Sequence, residues 1–361
     1  MNSSQSITPF SSTYSPQLPE LLLQLNASIV ITTYQAGKVI TISPTLDKEK
    51  LITLPRTFEK PMGLALDGDK LAIATKNEII TLENSRDLAT HYPNKQNTYD
   101  SLYLPRATYY SGNVDMHDIA YSEKGILAVN TSFSCLVLVN GVHNFQPVWK
   151  PSFISELVSE DRCHLNGLVV EKGIPKYVTA LGTTDTPQGW RQNITSGGVL
   201  IDITTDNILL EGLAMPHSPT IYNNELYMLL SASGEFVKVD TTNGTYSVIK
   251  QMNGFCRGLS IHNDYAFIGM SKLRKNSSTF SKLPFAETAN KSGVMVVHIP
   301  TKAIVGEIIY QASVDEIYEV EILPNTIRPN ILNTINPIHK YSLAIPNKTF
   351  WANPSDPVFQ K

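Results

Sequence analysis

Six short phrases of similar pattern recur along this 361-residue chain, and the residue that leads each phrase is the one able to do chemistry. After the leading residue come a second residue, usually small, a short apolar run and a turn. Such a repeat is typical of a β-propeller, in which equivalent residues of each blade point at one axis. The phrases begin at Met62, His117, Asn166, His217, Arg257 and Tyr318.

Three histidines would meet at that axis. His117 and His217 each lead a phrase, and His164 lies two residues before Asn166. Neutral imidazole suits zinc, iron or copper, and three protein ligands leave one position open for water or substrate. We therefore expect a divalent transition metal here, zinc first, with iron or copper as alternatives. A polar channel whose imidazoles bind water or an anionic ligand without metal is the competing interpretation.

The other candidate catalytic residues are Arg257, Tyr318 and Glu316. Arg257 would bind a substrate anion, because its planar guanidinium suits two-point contact with a carboxylate or an oxyanion. Tyr318 or Glu316 would transfer protons. Glu316 and Glu319 would also lie near enough to orient an imidazole. The alternative for Arg257 is that it only neutralises Glu316 or Asp118.

A long loop after the third phrase supplies candidate substrate contacts. It runs over residues 181–196 and contains Asp185, Trp190 and Arg191. Long loops on a rigid scaffold commonly carry function, so we expect these residues and Asn166 to contact substrate. The alternatives are that Asn166 caps a turn and that Trp190 and Arg191 anchor the loop. A second long loop, residues 271–292, is predicted on the same face.

The fold expected from these patterns is an all-β, six-bladed propeller. Runs rich in β-branched and aromatic residues, bounded by Gly, Asn, Asp or Pro, follow most leading phrases at strand length. No long amphipathic segment separates them, which argues against an α/β fold.

Ring closure follows from a mismatch between the two ends of the chain. The sixth phrase lacks following strands, whereas residues 28–54 read as three strands that lack a first one. Pairing the C-terminal inner strand with the N-terminal strands would hide both free edges. We therefore predict an N-terminal arm with a short helix over residues 1–26, a propeller over 27–325, and a tail over 326–361 that wraps the outside or is partly disordered.

Composition narrows the classes of partner. The formal net charge is −3. The sequence has no basic patch with interleaved aromatic residues, so we expect no binding to nucleic acid. The sequence shows no membrane-spanning run and no signal peptide. Three cysteines without Cys-x-x-Cys spacing fit a reducing compartment, so we expect a cytoplasmic protein. The oligomeric state is left open.

Several longer runs of the sequence are distinctive: Trp149 to Ser155, Glu160 to Leu168, Tyr177 to Arg191, Met215 to Pro219, Arg257 to Leu259 and Asp315 to Pro324. These runs resemble a bacterial family of uncharacterised proteins predicted to be β-propellers. The resemblance extends over roughly residues 28–324 and implies the fold and a cytoplasmic bacterial origin, but no activity.

A second likeness is one of architecture alone. Peptide-amidating lyases are six-bladed propellers with a three-histidine zinc beside an arginine and a tyrosine, which is the inventory predicted here. No sequence motif is shared, and fold does not fix function. The leading hypothesis is a metal-dependent lyase or hydrolase acting on a small polar or peptide-like substrate. The alternatives are a non-catalytic propeller that binds a peptide or protein partner on its top face, and a metal-free isomerase or epimerase.

Overall fold

Six four-stranded antiparallel blades form the body of the protein in this computed structural model, which describes residues 8–273, 283, 285 and 289–353. The predicted all-β, six-bladed propeller is confirmed. We number the blades in the order of their inner strands along the chain. The strands, inner to outer, are Leu64–Asp67, Lys70–Ala74, Glu78–Asn84 and Ser101–Tyr110 in blade 1; Met116–Ser122, Gly125–Asn130, Cys135–Leu138 and Gln146–Trp149 in blade 2; Leu165–Glu171, Ile174–Ala180, Gly198–Asp202 and Asn207–Leu213 in blade 3; Pro216–Tyr222, Glu225–Leu230, Glu235–Asp240 and Thr245–Gln251 in blade 4; Phe255–His262, Tyr265–Ser271, Gly293–His298 and Ala303–Tyr310 in blade 5; and Glu319–Pro324, Ala27–Thr33, Lys38–Pro44 and Leu51–Thr57 in blade 6.

The ring closes as the sequence predicts. Blade 6 takes its inner strand, Glu319–Pro324, from the C-terminal part of the chain and its other three strands from the N-terminal part. Ala27 pairs with Pro324 and Thr32 with Glu319 across that junction. Each inner strand contacts the inner strands of both neighbouring blades, so the six surround one central channel.

The described segments that precede and follow the propeller strands pack on the outside of the ring. The strand Ser12–Tyr14 extends blade 5, and the helix Leu18–Gln24 that follows places Leu18 and Leu22, both 0% exposed, in the core shared by blades 5 and 6. After the last inner strand, Pro329–Ile331 adds a parallel strand to blade 1. The remaining elements are the helix Arg86–Thr90, the 3-10 helices Gly189–Asn193 and Pro337–Tyr341, and the hairpin Ser342–Ile345 with Lys348–Trp351.

Hydroxyl side chains at the ends of second strands tie successive blades together. Each donates a hydrogen bond to a backbone carbonyl at the entry of the next inner strand, and all four of these serine and threonine residues are buried. Such bonds satisfy carbonyls that leave the sheet ladder at the channel mouth. The pairs are Thr32 with Met62 (2.6 Å), Thr131 with Leu165 (2.6 Å), Ser231 with Cys256 (2.6 Å) and Ser271 with Ile317 (3.1 Å).

Among the described residues, no helix combines the length and apolar character needed to cross a membrane.

Candidate functional site

The leading residues gather at one mouth of the channel because all six blades share the same strand order. His117, His217 and Arg257 lie within the first three residues of their inner strands, whereas His164 and Tyr318 immediately precede theirs. At four of the six phrases, those of blades 2 to 5, the pairing register shifts at the leading residue. A β-bulge of this kind re-aims side chains and is frequent beside functional sites. It explains how His117 can lie at the mouth while Asp118, the next residue, lines the channel.

A left-handed residue two positions earlier orients the two equivalent imidazoles. Met215 (φ +55°) turns its carbonyl oxygen to within 3.0 Å of His217 Nδ1, and Asp115 (φ +51°) places its own 3.4 Å from His117 Nδ1. Ser231 Oγ also lies 2.9 Å from His217 Nδ1, and its hydroxyl donates to the Cys256 carbonyl. Since both neighbours of His217 Nδ1 accept, this nitrogen carries the proton and Nε2 carries the lone pair.

His164 is held differently. Its Nδ1 lies 2.9 and 3.0 Å from the two carboxylate oxygens of Asp161, and the ring centre is 4.8 Å from that of His117 in an edge-to-face arrangement. The Trp190 ring lies against its other side at 4.3 Å and donates its indole N–H to Asp161 Oδ2 at 3.0 Å. None of the three histidine Nε2 atoms has a hydrogen-bond partner within the described part of the chain.

Arg257 and Tyr318 form the opposite wall of the mouth. The Arg257 guanidinium carbon lies 3.5 Å from the centre of the Tyr318 ring, whose own centre is 5.6 Å from that of His117. Tyr34, from the turn after the strand Ala27–Thr33 of blade 6, stacks on Tyr318 at 6.1 Å. No described carboxylate lies within ion-pair distance of Arg257, but its charge lowers the pKa of Asp118 and Glu319, so neutralisation of the acidic channel stays an alternative role. A guanidinium that no carboxylate contacts, at a channel mouth, is suited to an anionic ligand.

Burial sets the protonation states of this mouth. It lowers the pKa of His117 well below 6.5, and His164, Arg257 and His217 act in the same direction. Burial followed by Arg257 does the same to the pKa of His217. Both imidazoles are therefore neutral at pH 7 and available as ligands or bases. Burial also raises the pKa of Tyr318 above its usual 10, against the opposing effect of Arg257, so this phenol keeps its proton.

Three carboxylates line the channel beyond the mouth. Asp118, Glu319 and Glu321 border a cavity of about 430 Å³ whose walls come from all six inner strands. Burial raises the pKa of each, that of Asp118 to about 7, and the acidic neighbours add to this effect at Asp118 and Glu319. Glu319 bonds to the N–H of Val320, and no hydrogen bond joins Glu316 or Glu319 to an imidazole among the described residues.

The four residues predicted to contact substrate all make contacts with other residues of the protein. Asn166 donates to the Pro216 carbonyl and accepts from Thr179 (3.1 and 2.6 Å), and Asp185 is ion-paired with Arg162 at 2.8 Å. Trp190 is only 4% exposed, and Arg191 covers its ring at 4.4 Å. These contacts are those expected of anchors, so a substrate role for the four stays a prediction. The second predicted loop, residues 271–292, lies largely outside the described residues.

As they stand, the described residues contain no group of three or more His, Cys, Asp or Glu side chains close enough to hold a metal ion. Cys163 and Cys256 are fully buried free thiols, and burial raises the pKa of each to about 12. Buried thiols of that kind are inert.

Sequence reasoning missed Asp161 and Glu321 at this site and named Asp118 only as a group that Arg257 could neutralise. Asp161 precedes His164 by three residues, but nothing in the local pattern reveals that the loop folds back so that the two meet. Asp118 and Glu321 belong to phrases 2 and 6, and strict β alternation would not place Asp118 beside His117 in the same channel. The bulges supply the missing step, and their positions follow from contacts between blades.

The chain belongs to a protein family described as "Domain of unknown function (DUF4915)", whose model matches residues 16–332. No curated protein matches it in sequence. Among solved structures, it is similar to a protein of unknown function from Bacteroides caccae, with a TM-score of 0.51 and 9% identity over 82% of this chain and 98% of that one. A chain of a nidogen/laminin complex gives a TM-score of 0.49 and 10% identity over 83% and 99%. Likeness at this identity concerns the fold alone.

Proposed function

We propose that this protein is a metal-dependent enzyme, a lyase or hydrolase, that acts on a small polar or peptide-like substrate at the mouth of the propeller channel. One observation carries the proposal. Three imidazoles from neighbouring blades each engage Nδ1 with an oxygen atom and leave Nε2 without a partner among the described residues. Histidines that bind metals show this arrangement, because the outer oxygen fixes the tautomer and raises the basicity of the other nitrogen.

The donor set fits a divalent transition metal, with zinc first and iron or copper as alternatives. His117 and His217 are neutral at pH 7, as metal ligands must be. The three ligands would be His117, His164 and His217, leaving room for water or substrate. A metal bound there would polarise a carbonyl oxygen or acidify a bound water.

The remaining residues would divide the work of binding and proton transfer. Arg257 would hold an anionic group of the substrate or a developing oxyanion. Tyr318, whose raised pKa keeps it protonated, would donate rather than accept a proton. Glu316 has a buried carboxylate oxygen without a partner among the described residues and would serve as acceptor.

Metal content tests the proposal directly. We expect purified protein to retain close to one equivalent of a transition metal by elemental analysis, and His117→Ala and His217→Ala to lose it. The matched control is His143→Ala, since His143 is exposed and remote from the channel. Protein that stays metal-free after incubation with zinc, iron(II) or copper(II) would contradict the proposal.

A non-catalytic propeller that binds a peptide or protein partner at the same face is the second candidate. The lack of a ready-made cluster of three metal-binding side chains within the described ranges favours it. It predicts metal-free protein whose folding stability is unchanged in the two histidine variants. A metal-free isomerase would instead show activity that chelators leave intact.

A further inference from the structure

The Asp161 side chain connects His164, at the mouth of the channel, to Trp190, in the loop of residues 181–196. Its two carboxylate oxygens lie 2.9 and 3.0 Å from His164 Nδ1, and one of them accepts a hydrogen bond from the Trp190 indole N–H at 3.0 Å. The Asp161 and His164 side chains are 19% and 17% exposed, so solvent competes little for these bonds. Asp161 lies five residues before the third phrase, which begins at Asn166, so the repeat itself predicts no role for it.

The backbone around Asp161 is held firmly enough for this carboxylate to act as a fixed group. Asp161 itself is left-handed (φ +50°), and its N–H donates to the Ser132 carbonyl at 2.9 Å. The next residue, Arg162, has a side chain only 10% exposed and pairs with three carboxylates. These are Glu156 at 3.3 Å, Glu160 at 2.8 Å and Asp185 at 2.8 Å. Arg162 thereby joins the segment before Asp161 to the loop that carries Trp190.

We propose that Asp161 is a positioning residue that fixes His164 as the Nδ1–H tautomer and so presents the Nε2 lone pair at the channel mouth. A carboxylate accepts only, which requires the proton on Nδ1. His117 and His217 reach the same tautomer through backbone carbonyls, whereas His164 depends on a side chain. The assignment of the tautomer rests on the geometry alone. The importance of this tautomer for metal binding rests on the function proposed above.

The tautomer of His164 can be read from imidazole ¹⁵N shifts of metal-free protein at pH 8, with His164→Gln assigning the signal. The test variant is Asp161→Asn, because asparagine tolerates the left-handed backbone and keeps the side-chain shape. The Trp190 N–H can only donate and would claim the asparagine oxygen, leaving its NH₂ group facing His164 Nδ1. We expect the proton to sit on Nδ1 in the wild type and to move to Nε2 in Asp161→Asn.

Two results would overturn the proposal: a wild-type His164 protonated on Nε2, or the same tautomer in both proteins. Asp185→Asn is the matched control, since it removes an acceptor of Arg162 but leaves the Asp161 carboxylate. It should leave the tautomer unchanged, and a shift there would assign the effect to loop distortion and not to Asp161.

Cobalt(II) absorption provides a second readout. In Asp161→Asn we expect the affinity for cobalt to fall about 10- to 100-fold, as for other outer carboxylates of histidine ligands. An unchanged affinity for cobalt would contradict the positioning role of Asp161. If the wild type binds no cobalt, the proposed metal function fails, and the ¹⁵N shifts still decide the role of Asp161.

Discussion

At the residue scale, the mouth of the channel is marked by polar groups that the protein itself leaves without partners. Tyr318 is 4% exposed, and its hydroxyl has no hydrogen-bond partner among the described residues. Arg257 is in ion-pair contact with none of the described carboxylates. Buried polar groups are normally satisfied, so each such exception needs an explanation. A ligand that accepts from the phenol and neutralises the guanidinium supplies one.

Removing the Tyr318 hydroxyl should therefore not destabilise the protein. We expect Tyr318→Phe to unfold in urea at the same concentration as the wild type or a slightly higher one, with a gain up to about 1 kcal/mol, because an unsatisfied buried hydroxyl is lost. Tyr310→Phe is the control, since Tyr310 also has a buried hydroxyl without a described partner, but on the outer strand of blade 5. A loss of more than about 1 kcal/mol in Tyr318→Phe alone would mean that the hydroxyl has a structural role.

The identity of the mouth residues could be predicted from the sequence, but their hydrogen bonds could not. The six phrases led to His117, His217, Arg257 and Tyr318 because each holds the same place in a repeat. The pairing of Asp161 with His164 depends on the path of an irregular loop, for which periodicity gives no signal.

At the element scale, the residue after each leading position sets how closely neighbouring inner strands approach. A Cβ at Gly258 would lie 2.7 Å from the Val320 nitrogen, and one at Gly167 would lie 2.5 Å from Pro219 Cδ. Where this residue is not glycine, it can bond across instead: Asp118 accepts from the Leu168 N–H (2.8 Å) and Ser218 from the Gly258 N–H (3.0 Å). The usually small residue of the phrase is thus explained by contact between blades.

Gly258→Ala tests this close approach. Gly258 has φ +82°, so alanine there suffers both backbone strain and the clash with blade 6. Gly212→Ala is the matched control, because Gly212 has φ +74° and nothing lies within 4 Å of a Cβ there. We expect Gly212→Ala to lower the free energy of unfolding by about 1–2 kcal/mol, and Gly258→Ala by at least about 2 kcal/mol more. Equal losses, measured by urea unfolding, would show that inner strands do not need this contact.

Strand positions follow from the sequence more closely than strand irregularities do. The three strands predicted over residues 28–54 are observed at Ala27–Thr33, Lys38–Pro44 and Leu51–Thr57. The bulges at His117, His217 and Arg257 were not predicted, because a bulge depends on how the partner strand is registered. The added strand Ser12–Tyr14 was missed because its pairing partner lies nearly 300 residues away.

At the scale of the whole molecule, ring closure turns six separate phrases into one channel with two chemical zones. The mouth carries imidazoles, Arg257 and Tyr318, and the interior carries Asp118, Glu319 and Glu321. No blade on its own brings these groups together. The mismatch between the chain ends made this closure predictable, whereas the acidic interior appears only when the ring is assembled.

The acidic channel should make stability depend on pH. A carboxyl whose pKa is raised on folding holds a proton that the unfolded chain releases, so the contribution of Glu319 to stability falls as pH rises above about 4.5. Glu319→Gln removes this effect and keeps an oxygen for the Val320 N–H. We expect the free energy of unfolding of Glu319→Gln to exceed that of the wild type by on the order of 1 kcal/mol at pH 8 and by much less at pH 5. His117 and His217 act in the opposite direction in both proteins and cancel in the difference.

Exposed Glu211 provides the control for that comparison, and Glu211→Gln should differ from the wild type by the same small amount at both pH values. Thermal or urea unfolding at pH 5 and pH 8 suffices. A gain for Glu319→Gln that is equal at the two pH values would rule out an electrostatic origin.

The most direct test is anomalous diffraction from crystals of the protein grown with zinc, recorded on both sides of the zinc absorption edge. The account predicts a single strong peak on the channel axis, about 2.0–2.1 Å from Nε2 of His117, His164 and His217. A mouth without such a peak in zinc-loaded crystals, or zinc bound only at other side chains, would contradict it.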